Sequence, residues 1–212
     1  MTKKLFVFLI TGIIVFVSCK QSTQKQLPIY NPSNFNPELV DPSLQNKTEY
    51  HTVSDFKLIN QNGDTITQDD YNNKIYIADF FFTSCKTICP VMTDNIGVLQ
   101  QEFINDIDVM FLSLSVTPDI DNVSVLRDYA TNKGVIDSKW NVTTGNKKHI
   151  YELARKSYFA VVEQGDGDLQ DFIHTPNFIL VDKEKQIRGI YNGTDDMEIQ
   201  RIIEDINILK KL

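Results

Sequence analysis

Two apolar runs with a helical stretch between them limit the fold more than anything else in the chain. "KIYIADFFF", 74–82, and "DVMFLSLSV", 108–116, are continuous rather than alternating, the pattern of strands buried on both faces. Between them "PVMTDNIGVLQQEFI", 90–104, puts apolar residues at 92, 96, 99, 103 and 104, which is helical spacing. A strand–helix–strand crossover of this kind predicts parallel pairing.

The flanking segments fill in the architecture. "HTVSDFKLINQNGDTIT" reads as two short strands around a turn at Asn62-Gly63-Asp64. "DIDNVSVLRDYATNKG" reads as a helix stopped near Gly134, and 146–159 as another helix. A strand at 159–163 and a polar turn at 164–170 are predicted next. "NFILVD", a turn at Lys183-Glu184 and "QIRGIY" form an antiparallel hairpin, and 195–209 is helical. The order ββ–β–α–β–α–α–β–β–β–α describes a thioredoxin-like α/β domain over 51–212. It has a mixed central sheet flanked by helices and an N-terminal β-hairpin.

The first 50 residues are different. A basic start, Met1-Thr2-Lys3-Lys4, precedes an apolar run from Leu5 to Val17, too short to span a bilayer comfortably and right for a signal sequence. The run ends in "FVSC", so 1–19 is expected to be a lipoprotein signal whose Cys19 becomes the lipidated first residue. Phe16 stands where such signals usually carry leucine. Residues 20–50, rich in Gln, Asn, Ser and Pro, read as a tether. Ile29, Tyr30, Phe35 and Leu39 within it are not typical of a free linker, so part of it is expected to pack on the domain. The domain would then lie outside the cytoplasm, held to a membrane. The formal net charge is −7, and it becomes −9 once Lys3 and Lys4 leave with the signal. An acidic chain without basic clusters argues against nucleic acid as a partner.

Only Cys85 and Cys89 remain in such a mature domain, in "FFFTSCKTICPVM". Pro90 suits the first turn of a helix. Cys89 is thereby placed at the helix start and Cys85 in the preceding loop or an extra turn. On a helix the two Cα atoms would lie about 6 Å apart, within disulfide range. Oxidising surroundings would favour that pairing when the site is idle. The orphan N–H groups and positive dipole end of a helix N-terminus favour thiolate over thiol. A structural staple closing so small a loop would add little stability. Structural zinc needs four ligands, and two thiols with scattered histidines do not supply them. Two thiolates and one imidazole suit Cu(I) and can also hold Cu(II).

Three histidines could complete such a set. His51 stands at the start of the domain as an ordinary polar residue. His149, between Lys148 and Ile150 on a helix, is expected to face solvent. His174 lies in "IHTPNFILVD", directly before the strand that opens the terminal hairpin. In a thioredoxin-like fold the loop entering that strand faces the cysteine-bearing helix, so His174 is the histidine brought to Cys85 and Cys89. Thr175-Pro176 also stands where thioredoxins place a cis-proline, and a cis bond is expected there.

Taken together, "FFFTSCKTICPVM", "FLSLSVTPDID" and "DFIHTPNFILVD" resemble the Sco (SenC/PrrC-like) family over roughly residues 50–210. The resemblance implies a membrane-tethered protein that binds copper through two cysteines and one histidine, positions occupied here by Cys85, Cys89 and His174. It implies service to the copper centre of cytochrome c oxidase, as copper donor, thiol reductant or both. The implied partner is the copper-receiving oxidase subunit or another copper chaperone. Members often carry an acid before the proline of the middle segment; here that residue is Thr117, with Asp119 and Asp121 following. An extracytoplasmic thiol–disulfide oxidoreductase with incidental metal binding is the main alternative. A peroxidase-like enzyme of the same fold is a third, weakened because its lone reactive cysteine would here have a neighbour four residues away.

Overall fold

The computed structural model describes residues 26–35, 50–161 and 173–212. Its elements, in chain order, are β1 (Lys57–Asn60), β2 (Thr65–Thr67), β3 (Ile75–Phe81), α1 (Ile88–Glu102), β4 (Val109–Ser115), α2 (Val123–Asn132), β5 (Trp140–Thr144), α3 (Lys147–Glu152), β6 (Asn177–Val181), β7 (Ile187–Asn192) and α4 (Asp196–Leu209). A π-helical turn, Leu153–Ser157, continues α3.

The seven strands form one mixed sheet in the order β2-β1-β5-β4-β3-β6-β7. β3 pairs in parallel with β4 from Ile75 opposite Val109 to Phe81 opposite Ser115, as the crossover through α1 predicts. β4 and β5 are also parallel, and the remaining pairs are antiparallel. This is a thioredoxin-like arrangement with the expected hairpin, β1–β2, at one edge.

β3 has all seven residues buried because both of its faces are covered. Ile75, Ile77 and Phe81 enter a layer with Met92, Ile96 and Leu99 of α1 and the apolar stripe of α4, Ile199, Ile202, Ile206 and Leu209. Tyr76, Ala78 and Phe80 point the other way, toward Ile150, Ala154 and Tyr158. The period of two along a strand dictates this split. Each fully buried Ile or Phe contributes about 1.5–3 kcal/mol, so the two layers hold the strand from both sides. Asp79 falls on the α1 face by the same alternation.

Two expectations are corrected. No strand begins at 159: Phe159 takes a left-handed φ of 50° as the chain leaves the π-helical turn, and 159–161 are irregular; 162 and 163 lie outside the described residues. The missing strand is β5, whose polar sequence hid it. Its buried Asn141 donates to the Tyr71 hydroxyl and its Thr143 to the Ser113 carbonyl, so neither polar side chain needs water. The Thr175–Pro176 bond is trans. The loop is held without a cis turn, because the Thr175 hydroxyl donates to the Ala160 carbonyl and the Pro176 carbonyl accepts from Gly193 N–H at 2.7 Å.

Residues 26–35 pack on the domain. Leu27 is buried, Arg188 donates to the carbonyls of Leu27 and Pro28, and Tyr30 N–H donates to the Ile187 carbonyl. Phe35 packs on Phe159 with its ring tilted, centroids 4.9 Å apart. Cys19 and Leu39 lie outside the described residues. Among the described residues no helix is long and apolar enough to cross a membrane.

Candidate functional site

The C-terminal end of β3, the N-terminus of α1 and the loop entering β6 meet at one end of the sheet. Cys85 sits in the loop between β3 and α1, its N–H donating to the Phe82 carbonyl. Cys89 is the second residue of α1, and Pro90 follows in the first turn, where its missing N–H costs nothing. Both sulphurs are buried and both thiols are free, so this is the reduced form of the pair.

No side chain caps α1: Thr87, its N-cap residue, makes no capping hydrogen bond. The Cys85 sulphur lies beside that end, 3.6 Å from the Thr87 hydroxyl. Burial pushes the Cys85 thiol up, but hydrogen bonding from the Cys89 thiol, from the backbone N–H groups of Thr87 and Cys89 and from the Thr87 hydroxyl outweighs it, and Cys85 is lowered to about 6. Cys89 moves the other way. Burial, its hydrogen bond toward Cys85 and the neighbouring charges of Cys85 and Asp79 push it up to about 12. The pair is thus one thiolate and one thiol at neutral pH.

His174 is exposed at the same end of the sheet. Its ring lies against Phe82, centroids 6.1 Å apart, and Phe82 is three residues before Cys85. The loop entering β6 sets His174 at the cysteine end of the sheet, while among the described residues no three His, Cys, Asp or Glu side chains are gathered closely enough to hold a metal ion. The donor types nonetheless fit copper: one thiolate at hand, a second thiol beside it and an imidazole open to solvent.

The other histidines are elsewhere. His149 is half-buried rather than turned to solvent, because its Nε2 lies 3.4 Å from Lys57 N–H on β1. His51 is buried, with Nε2 2.7 Å from the Ser157 carbonyl and its ring on Phe159.

Two acids stand at the site, Asp79, which no motif marks, and Asp121 of "FLSLSVTPDID". Asp79 is 1% exposed on the α1 face of β3. Burial raises its carboxyl to about 7, against the lowering effect of the Ser113 hydroxyl that donates to it at 2.5 Å. A lone acid inside an otherwise apolar strand run is the signal that could have found it. Asp121 is fully buried behind the cysteine loop.

The SCO1/SenC family model matches residues 44–210. The SCO1 protein homolog of Bacillus subtilis (strain 168) is 34% identical over 158 residues, covering 74% of this chain and 81% of its own. The chain belongs to the SCO1/SenC family. Solved structures of the family agree in fold. A SCO1/SenC family lipoprotein from Bacillus anthracis str. Ames is 29% identical with a TM-score of 0.67, over 76% of this chain and 95% of its own. BsSco, described as having a disulfide switch and as a member of the Sco family of cytochrome c oxidase assembly proteins, is 32% identical with a TM-score of 0.65 and the same coverage. In this Sco-family chain the cysteine loop, the trans-proline loop and Phe82 frame one end of the sheet, with the sulphurs buried and the imidazole exposed.

Proposed function

We propose that the chain is a membrane-tethered copper-binding protein, anchored through Cys19 and acting outside the cytoplasm in assembly of the copper centre of cytochrome c oxidase. Copper is its cargo, and Cys85, Cys89 and His174 are the ligands. The observation that carries this reading is the Cys85 thiolate held at the α1 N-terminus with an exposed imidazole on the adjoining loop. Thiolate is the form that binds soft metal, and neutral imidazole suits both copper valences.

The cycle starts from the disulfide, which offers no thiolate. A donor dithiol supplies two electrons and two protons, leaving Cys85 and Cys89 reduced. Binding copper displaces the remaining thiol proton of Cys89 and draws His174 in, so the tightest binding needs the loop entering β6 to close on the cysteines. Ligand exchange then passes the ion to a partner's copper site. A second reading, thiol–disulfide oxidoreductase, is favoured by one observation: the pair is polarised into thiolate and thiol without any help from His174.

One experiment separates them. Copper stoichiometry and competition affinity are measured on reduced wild type, His174→Ala and His149→Ala, beside their equilibria with glutathione. The expected result is weak copper binding by His174→Ala alone, with all three redox couples alike. Wild-type affinity in His174→Ala would leave the oxidoreductase reading ahead.

A further inference from the structure

We propose that Asp121 is a positioning residue for Cys85. This rests on the proposed role of the cysteine pair, though its test is independent of copper. Asp121 is 0% exposed, and its carboxylate accepts four hydrogen bonds. Two come from Thr83, two residues before Cys85: the backbone N–H at 3.1 Å to Oδ2 and the hydroxyl at 2.5 Å to Oδ1. The other two come from the end of β4 and the residues after it: the Ser115 hydroxyl at 2.5 Å and the Thr117 hydroxyl at 2.9 Å, both to Oδ2. Asp121 is itself fixed by its own turn, its N–H donating to the Thr117 carbonyl at 2.9 Å. One side chain therefore ties the start of the cysteine loop to the sheet.

Apart from Asp121 the loop is held by packing, Phe82 lying against both core layers and Cys85 within the α1 layer; Ser84, Lys86 and Thr87 are exposed, and the backbone bond from Cys85 to Phe82 lies within the loop itself. Cys89, by contrast, is set by α1. The separation of the two sulphurs is thus governed from one side by the helix and from the other by the Thr83–Asp121 bonds. Charge-assisted bonds to a buried carboxylate are short and strong, and losing one leaves the partner unpaired.

The consequence is redox. Glutathione disulfide oxidises the pair by taking two electrons and two protons, giving the Cys85–Cys89 bond and two molecules of glutathione. The protein disulfide fixes the loop in any case. Releasing the Thr83 end frees the loop mainly in the dithiol form, and that added freedom favours the dithiol. The clamp acts by raising the effective concentration of one sulphur toward the other.

The test uses the mature protein and glutathione buffers, with thermal unfolding read in parallel. Thr83→Val removes the hydroxyl bond and keeps the shape; Thr83→Ser restores it. Thr83→Val keeps the backbone N–H bond to Asp121, so it is expected to shift the equilibrium toward dithiol by about threefold, part of what freeing one residue's backbone would give, and Thr83→Ser to return to wild type. An unchanged equilibrium in Thr83→Val, whatever happens to its melting temperature, overturns the proposal. Should Thr83→Val not fold, Asp121→Asn takes its place: the same direction supports the clamp and no shift overturns it. Copper binding is titrated separately, so failure of the copper reading leaves this result intact.

Discussion

The two halves of the site are built on opposite plans. The cysteine half is buried, placed on the first turn of α1 and tied to β4 through Asp121. Its two thiols already differ, since burial raises Cys89 while hydrogen bonds lower Cys85. The imidazole half is an exposed ring on a separate loop, in contact with Phe82. The difference between the thiols is thereby pre-formed, whereas the proposed three-ligand site would require the halves to close. On that reading the division would let the weaker half leave first when an ion is passed on.

The sharpest way to break this contrast is alkylation by iodoacetamide. At pH 7 a thiol lowered to about 6 is mostly thiolate, while one pushed up to about 12 has about 10⁵ times less. Labelling of Cys85 is expected to rise as pH climbs through 6 and then level off, with Cys89 silent until strongly alkaline pH. Equal labelling of both at pH 7 would erase the distinction between them.

Asp79 probes the cost of the buried half. Its folded-state pKa of about 7 lies above the ordinary 3.8, so protonation favours the folded state. The Asp79 contribution to stability should fall as pH rises from about 4 to about 7 and then stay flat, an effect of about 4 kcal/mol, while the lowered Cys85 thiol adds stability from about pH 6 to 9. Asp79→Asn is expected to lose only the Asp79 part of the profile and to be the more stable protein at pH 8 by urea unfolding. A difference between wild type and Asp79→Asn that is the same at pH 5 and pH 8 would refute it.

Single-ligand loss comes next. Residues that merely support a metal ligand cost 10- to 100-fold in affinity when changed, so His174→Ala should lose about a hundredfold or more in copper affinity. Cys89→Ala should lose copper and the redox couple together. Identical behaviour of the two variants in the glutathione equilibrium would merge the two halves into one.

The smallest effect concerns the loop that carries His174. A Cβ on Gly193 would stand 2.6 Å from the Phe178 ring, while its N–H holds the Pro176 carbonyl and its carbonyl accepts from Asn95 on α1. Gly193→Ala is expected to cost about 1–3 kcal/mol, as overpacking does, with Cys85 labelling unchanged. A change in the pH profile of Cys85 would show the halves to be coupled through this loop.

Much of the framework was legible because it rests on local patterns. The parallel β3–α1–β4 crossover follows from two continuous apolar runs and one helical period, and Pro90 marks the first turn of α1. What escaped depends on register or distance. β5 was hidden because its polar residues are satisfied by Tyr71 and Ser113, which only the folded sheet brings near. Asp79 could be tolerated in an apolar strand because β4 places Ser113 directly opposite. Thr83 and Asp121 are 38 residues apart, and nothing local joins them. His149 was expected in solvent from its helix alone; the edge of β1 lies beside it.

Were the proposed lipid on Cys19 present, the docked segment from Leu27 to Tyr30 would change the mooring of the whole domain. A tether free from 20 to 50 would give His51 a leash of about 110 Å from Cys19 at full extension. Leu27 is instead buried against the sheet and clasped by Arg188, and eight steps of chain to Cys19 reach only about 28 Å. With a lipid on Cys19, the volume the domain can sweep shrinks roughly sixtyfold, and its local concentration near the membrane rises in proportion. Arg188 lies near the start of β7, while the His174 loop bonds to Gly193 just past its other end. A line so anchored would be made fast at the end of β7 opposite the cysteines, and the sulphurs would stay clear of the berth.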